Sequence, residues 1–201
     1  MDLLVVAATA RELECAAGAR TLACGIGPVE AAIAAGRALA ASAPEALLLV
    51  GLAGGRGLEP GTLALGSEAL YCDLHADVHV PRRVLPDEGL LAAAREALPE
   101  ARVEPIGTSA AVGGTTGCGV EAMEGFAVLR AAELAGVAAV ELRAVSNEVD
   151  EPDRSRWELE RGLAALTEAV PRLLTALESR RLDGGSRRAE VPASPAPERG
   201  Q

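Results

Sequence analysis

GVEAMEGFAVLRAAELAGVAAVELRAVSNEVD, Gly119 to Asp150, is the stretch on which the fold turns. It divides into a helix, a buried strand and a polar loop at that strand's C-terminal end. No glycine follows Gly125 and no proline intervenes before the helix stops near Gly136. AAVELRAV, Ala138 to Val145, is short, bounded and β-branched enough to be a strand. Glu133 follows Glu124 by nine residues, which at about 100° per residue puts the two on opposite sides of a helix. With Arg130 and Glu133 on the solvent side, Glu124 points inward. A buried carboxylate is costly unless it is paired or serves a ligand; a structural hydrogen bond and a ligand role both satisfy that demand. The loop SNEVD then places Ser146, Asn147 and Asp150 where open α/β sheets bind small molecules.

Upstream, the same alternation of strand and helix continues. Leu3 to Ala8 reads as a fully buried strand, followed by TARELECA, in which Thr9 caps a short helix and Glu12 sits at its N3 position. A capping box accounts for Glu12 locally, and a role in chemistry is the other reading. Thr21 to Cys24 is a second strand. Gly25 to Pro28, GIGP, turns into an Ala-rich helix from Val29 to about Ser42, with Pro28 suited to the first turn. It is no dinucleotide fingerprint, because Ala31 stands where G-x-G-x-x-G needs glycine. Ala46 to Val50 gives a third strand and runs into GLAGGRG, whose glycines allow a turn or the close approach of a flat ligand. Thr62 to Tyr71 is a strand or hairpin, Pro86 to Leu98 a helix begun at Asp87, and Val103 to Ile106 a further strand. Gly107 to Gly119 is a loop of small residues whose hydroxyls, Thr108, Ser109, Thr115 and Thr116, are candidates to meet a substrate. A last long helix runs from about Arg154 to Arg181 with Pro171 inside it, and Trp157 is expected to pack rather than to report a ligand.

Composition narrows the classes. At 201 residues and 49% hydrophobic, the chain supports one core, expected over residues 1–182. Residues 183–201, rich in Pro, Gly, Ser and charge, are expected to form a disordered tail. The chain has three aromatic residues, so the core must be built from Ala, Leu and Val. A net charge of -10 argues against general nucleic-acid or anionic-membrane binding. Cys15, Cys24, Cys72 and Cys118 show neither CxxC nor metal-ligand spacing and read as reduced thiols of a cytoplasmic protein. The apolar N-terminal run has no basic segment before it and reads as a core strand rather than a signal peptide. His75 and His79, with Asp73 and Asp77, lack the HEXXH pattern because Ala76 stands where Glu is needed, and no metal is expected.

Four segments in order, TARE with Glu12, GIGPVEA at Gly25 to Ala31, GLAGG at Gly51 to Gly55, and EAMEG followed by RAVSNEVD, resemble the nucleoside phosphorylase and nucleosidase superfamily. The likeness is to the methylthioadenosine/S-adenosylhomocysteine nucleosidases and, more closely, the futalosine hydrolases, over most of Met1 to about Ala176. The resemblance implies an α/β fold of three layers, α/β/α, around a central mixed sheet. It also implies an N-glycosidic hydrolase without cofactor that takes a small purine nucleoside and forms a homodimer or higher homo-oligomer. Carried over residue by residue, Glu12 activates water, Met123 packs on the sugar, and Glu124 accepts the ribose hydroxyls. The Ala53 and Gly54 backbone borders the pocket, and Asn147 reads and stabilises the purine.

Several positions depart from the adenine-releasing branch. Asn147 stands where that branch has Asp; its amide can donate to purine N7 or O6 but cannot transfer a proton as an acid. That favours a 6-oxopurine such as hypoxanthine and hence futalosine, cleaved to hypoxanthine and dehypoxanthine futalosine in the futalosine route to menaquinone. Ala122 separates Glu121 from Met123, so a second acid directly before the methionine is missing, and the stretch before EAMEG lacks the aromatic residue expected to stack on adenine, leaving Val112 or nearby backbone as an apolar wall. No Gly-Asp-Pro-x-Arg segment follows the first strand, which favours hydrolysis over phosphorolysis. Arg56, Arg82 or Arg83 could meet a distal carboxylate. The alternatives are a methylthioadenosine/S-adenosylhomocysteine nucleosidase and a catalytically silent nucleoside-binding protein.

Overall fold

The structure, a computed structural model, describes residues 1–75, 80–114 and 116–179. The expected tail, together with His79, Asp77 and Thr115, lies outside the described residues. Strands β1 (Leu3–Ala7), β2 (Arg20–Ala23), β3 (Ala46–Gly55), β4 (Leu63–Tyr71), β5 (Arg83–Val84), β6 (Arg102–Thr108), β7 (Val120–Ala122) and β8 (Ala138–Glu148) form one sheet. Helices α1 (Pro28–Ala41) and α3 (Gly125–Ala135) cover one face; α2 (Glu88–Ala97) and α4 (Leu159–Ser179) cover the other. Short 3-10 helices span Glu12–Ala16 and Arg154–Arg156. This is the mixed α/β arrangement expected, with parallel β1–β3 and β3–β8 pairs and an antiparallel β4–β8 pair.

The sheet also closes on itself, which the sequence pattern does not predict. At its N-terminal half β3 lies between β1 and β8; at Gly54 and Gly55 it exchanges β1 for β7. β7 continues to β6, β6 to β4 and β4 back to β8, so five strands form a ring. Ala53, Ala64, Ile106, Val120 and Ala122 pack within it. Small side chains suit this lumen, where bulkier ones would prop the ring open.

Two larger apolar clusters hold the layers together. Leu90, Ala94 and Leu98 join Leu166, Val170, Leu173 and Leu177 beneath Val5, Leu48, Val50 and Leu142. On the opposite face Ala31, Ala35 and Leu39 meet Val128, Leu129 and Ala132 over Leu4, Leu47 and Leu49. Alternate residues of β1 and β3 thus serve opposite faces, as a strand covered on both sides requires. Pro171 lies inside α4 without ending it. Asp87 caps α2, its carboxylate accepting the Leu90 N–H at 2.8 Å. Among the described residues no helix is long and apolar enough to cross a membrane.

Candidate active site

Glu12 is held by contacts local to its own turn and also lines a cavity. Its Oε2 accepts from the Thr9 amide (3.0 Å) and the Thr9 hydroxyl (2.7 Å), while its own N–H lies 3.3 Å from that hydroxyl. The reciprocal Thr9–Glu12 contacts of a capping box are therefore present, but the 3-10 helix begins at Glu12 itself, so Glu12 is its first residue and not its third. Its Oε1 reaches across to the Leu52 amide at 2.9 Å. That reach is open because Gly51 has no Cβ: one built there would lie 2.9 Å from Glu12 Oε1 and 2.5 Å from Arg143 Nη1. The carboxylate is buried yet lines a cavity of about 370 Å³ at the C-terminal end of β3.

Glu124 is buried too, but not by the helical arrangement expected. VEA, Val120–Ala122, is strand β7, and α3 starts only at Gly125, with Glu124 at its N-cap position. The angle to Glu133 therefore has no bearing on it. Instead its Oε1 accepts the Gly27 amide of the GIGP turn at 3.1 Å, and its Oε2 lies 3.3 Å from Arg143 Nη1. Gly25 and Gly27, with φ of 86° and 94°, make the turn that aims this amide. The anion cradled by GIGP is one of the protein's own carboxylates.

Asn147 owes its place to an irregularity in β8. Ala53 pairs with Val145 and Gly54 with Asn147, so Ser146 is the extra residue of a bulge. Bulging brings both Ser146 and Asn147 to the cavity. The Ser146 hydroxyl lies 2.8 Å from Asn147 Oδ1, and Asn147 Nδ2 donates to the Glu148 carbonyl at 3.0 Å. With Oδ1 engaged, the second Nδ2 hydrogen remains for a ligand acceptor. Gly54 makes room, since a Cβ there would come within 3.3 Å of Nδ2.

All six predicted site residues, Glu12, Asn147, Ala53, Gly54, Met123 and Glu124, line this one cavity. The hydroxyl loop behaves otherwise. Thr108 accepts the Phe126 amide at 2.8 Å and so caps α3, and Thr116 binds Glu121 Oε1 through its hydroxyl at 2.7 Å and its amide at 3.0 Å. Neither residue, nor Ser109, borders the cavity; Ala111, Val112 and Gly113 do. Arg56 is turned to Asp150 at 2.8 Å and Glu121 at 3.5 Å, and neither it nor Arg82 nor Arg83 is in the lining. Arg11 is, half-exposed and paired with Glu160. Trp157, expected to be a packing residue, lines the cavity with Ile26, its indole N–H donating to the Glu151 carbonyl at 3.2 Å.

Arg143 went unrecognised in the sequence. It is fully buried, with Nε 2.8 Å from Glu141 Oε1 and Nη1 3.3 Å from both Glu124 Oε2 and the Leu52 carbonyl. Burial works against its charge, but the Glu141 and Glu124 carboxylates raise its pKa above the ordinary value. The signal was present: Glu141 and Arg143 are two apart in an apolar strand, hence on one face. Chemically, the cavity offers three buried carboxylates, Glu12, Glu124 and the Glu121 already engaged by Thr116 and Arg56, with an amide donor, beside one strand, β3, which rises about 3.3 Å per residue. Gly51 beside Glu12 and Gly54 beside Asn147 are thus about 10 Å apart, the scale of a nucleoside.

The sequence profile of the family described as the phosphorylase superfamily matches residues 15–179. A futalosine hydrolase of Streptomyces coelicolor is 44% identical over 106 aligned positions, covering 47% of this chain and 45% of the relative. A futalosine hydrolase of Thermus thermophilus is 42% identical over 72 positions, covering 36% of this chain and 29% of the relative. The match therefore spans less than half the length of either relative. Among solved structures, a 5'-methylthioadenosine/S-adenosylhomocysteine nucleosidase from Neisseria meningitidis in complex with methylthio-immucillin-A superposes with a TM-score of 0.76. It is 22% identical, and the match covers 87% of this chain and 98% of that one.

Proposed function

The chain belongs to the phosphorylase superfamily, and from that premise we propose that it hydrolyses the N-glycosidic bond of futalosine, releasing hypoxanthine and dehypoxanthine futalosine for menaquinone biosynthesis. The observation that carries this reading is Asn147, which lines the cavity with its Oδ1 taken by the Ser146 hydroxyl and one Nδ2 hydrogen left to donate. A donor suits the O6 or N7 of a 6-oxopurine, whereas the exocyclic amine of adenine requires an acceptor. The two futalosine hydrolases above support the same substrate.

In this mechanism Glu124 accepts the ribose hydroxyls and Met123 packs against the sugar. The Ala53 and Gly54 backbone borders the base and sugar. As the C–N bond lengthens, the ribosyl ring becomes cationic and its electron pair passes to the purine, where the Asn147 amide stabilises it. Glu12 directs water to the anomeric carbon and takes its proton, and solvent returns a proton to the departing hypoxanthine. A positioned proton acceptor of this kind contributes about 10²- to 10⁴-fold. No metal or organic cofactor enters the scheme. Arg11, at the solvent boundary of the cavity, is the cation we assign to the distal carboxylate of the substrate.

We also place the enzyme in the cytoplasm as a homo-oligomer. The free thiols of Cys15, Cys24, Cys72 and Cys118 support the first. Exposed Val29, Ile33 and Leu134 on the α1 and α3 face support the second, with exposed Ile26 and Val112 at the cavity. The activity is tested by time-resolved chromatography of free base from futalosine, inosine, methylthioadenosine and S-adenosylhomocysteine, with and without phosphate. Rapid hypoxanthine release from futalosine without phosphate is expected. Preferential adenine release would move the chain to the adenine-specific nucleosidases, and ligand binding without release would make it a silent binding protein.

A further inference from the structure

Behind the cavity, and outside its lining, stands a carboxylate that the mechanism above leaves unused. Glu141 is fully buried in β8, where Gly125 makes space for its carboxylate and Gly66 packs beside it. A Cβ on Gly125 would lie 2.7 Å from both of its carboxylate oxygens, and one on Gly66 would lie 3.5 Å from its Cβ and Oε2. Its Oε1 accepts Arg143 Nε at 2.8 Å. Its Oε2 and Arg143 Nη2 are buried and, among the described residues, find no hydrogen-bond partner. An apolar side chain would fill this space without the cost of desolvating a carboxylate. The arrangement therefore calls for something an apolar side chain does not supply, an oxygen that accepts from Arg143 Nε.

We propose that Glu141 is a positioning residue for sugar recognition: by gripping Arg143 at Nε it aims Nη1 at Glu124 and so orients the Glu124 carboxylate for the ribose hydroxyls. Glu124 has two restraints from opposite sides, the Gly27 amide on Oε1 and Arg143 on Oε2. Arg143 in turn has the Leu52 carbonyl and Glu141 as its remaining anchors. Removing Glu141 frees the guanidinium to rotate toward whichever of Glu12 and Glu124 attracts it more, since both act on its charge. Burial holds the Glu141 carboxyl above the usual carboxylate range despite Arg143 beside it. Either protonation state leaves an oxygen able to accept from Nε.

The inference rests on the reading of Glu124 as the ribose ligand, and its test separates the two. Turnover of futalosine and of 2'-deoxyfutalosine is compared in the parental enzyme, E141Q and E141L. E141L is expected to lower kcat/KM for futalosine on the order of 10²-fold, the scale of a misplaced binding group, and to lower that for the deoxy substrate, which keeps only the 3'-hydroxyl contact, by a clearly smaller factor, so that sugar discrimination shrinks. E141Q, which still accepts from Nε, is expected to restore both rates to within about 3-fold of parental. An equal loss on both substrates, or no loss, overturns the proposal and reduces Glu141 to a structural role. Should E141L fail to fold, E141D withdraws the acceptor by one methylene and must lose discrimination where E141Q keeps it. Retention by E141D overturns the proposal as well. A parental enzyme indifferent to the 2'-hydroxyl would instead sink the ribose reading of Glu124. A parental enzyme without turnover would sink the hydrolase reading, and the calorimetric affinity ratio of inosine to 2'-deoxyinosine would still decide the role of Glu141.

Discussion

The acidic end of the cavity and its amide end are built in opposite ways. At the acidic end Glu12 and Glu124 are each fixed by backbone amides from distant segments, Leu52 for one and Gly27 for the other, and Arg143 stands behind Glu124. At the amide end Asn147 is steadied by its sequence neighbours Ser146 and Glu148, and the facing wall is a glycine-rich loop with half-exposed Val112. Long-range backbone anchors, with Thr9 as a local one beside Glu12, hold the groups assigned to water and ribose. Local contacts hold the group assigned to choosing the base. Chemistry that fails after small displacements calls for the first kind of support, whereas specificity can be retuned through the second.

The contrast breaks most visibly at Glu12. The Glu12→Gln variant should fold with a somewhat lower melting temperature, since its amide nitrogen meets the Leu52 or the Thr9 N–H that the carboxylate accepts. It should bind futalosine, yet lose about 10²- to 10⁴-fold in kcat; parental turnover from a folded E12Q protein would remove Glu12 from the mechanism. Glu124→Ala comes next, because hydrogen bonds to charged groups are worth about 1.5–3 kcal/mol. That is roughly 10- to 150-fold in kcat/KM by the usual conversion, read with ribonucleoside substrates. At the other end, Asn147→Asp exchanges the donor for an acceptor, and the ratio of adenine to hypoxanthine release should rise about 10-fold or more. An unchanged ratio would show that the base is read elsewhere.

Smaller effects sharpen the same division. Thr116→Val removes the hydroxyl that ties the loop to Glu121 and should raise KM a few-fold, costing about 1 kcal/mol of stability, with kcat unaltered. Cys15 and Cys24 lie behind the acidic end, and burial pushes each thiol up to about 11 from an ordinary 9.0. The folded chain therefore keeps these protons after the unfolded chain has released them. Their contribution to stability is complete below pH 9 and is lost as pH rises through about 11. Melting curves across that interval should flatten when both cysteines are replaced by alanine.

Much of the scaffold was legible because it rests on local pattern. The run LLVVA, the cap at Asp87, Pro28 at the start of α1 and Gly136 in a left-handed C-cap each mark a boundary by short-range stereochemistry. Strand β7 was not legible. Three residues, VEA, carry no measurable periodicity, and they are a strand only because β3 and β6 are there to pair with them. Reading them as helix also misplaced Glu124, whose burial was expected for the wrong reason. Trp157 and Arg11 were missed as cavity residues because their place depends on how α4 and the segments beside it pack against the sheet.

The sequence by itself determined the alternation of elements, the two apolar faces and the candidates Glu12, Glu124 and Asn147, since side-chain pattern and ordered motifs are properties of neighbouring residues. Only the tertiary structure decided that β3 changes partners at Gly54, that a bulge at Ser146 turns Asn147 to the cavity, and that Arg143 and Glu141 stand behind Glu124. The physical reason is range. A buried guanidinium between two carboxylates is tolerable only when segments far apart in the chain meet to satisfy it, and no local pattern records that meeting.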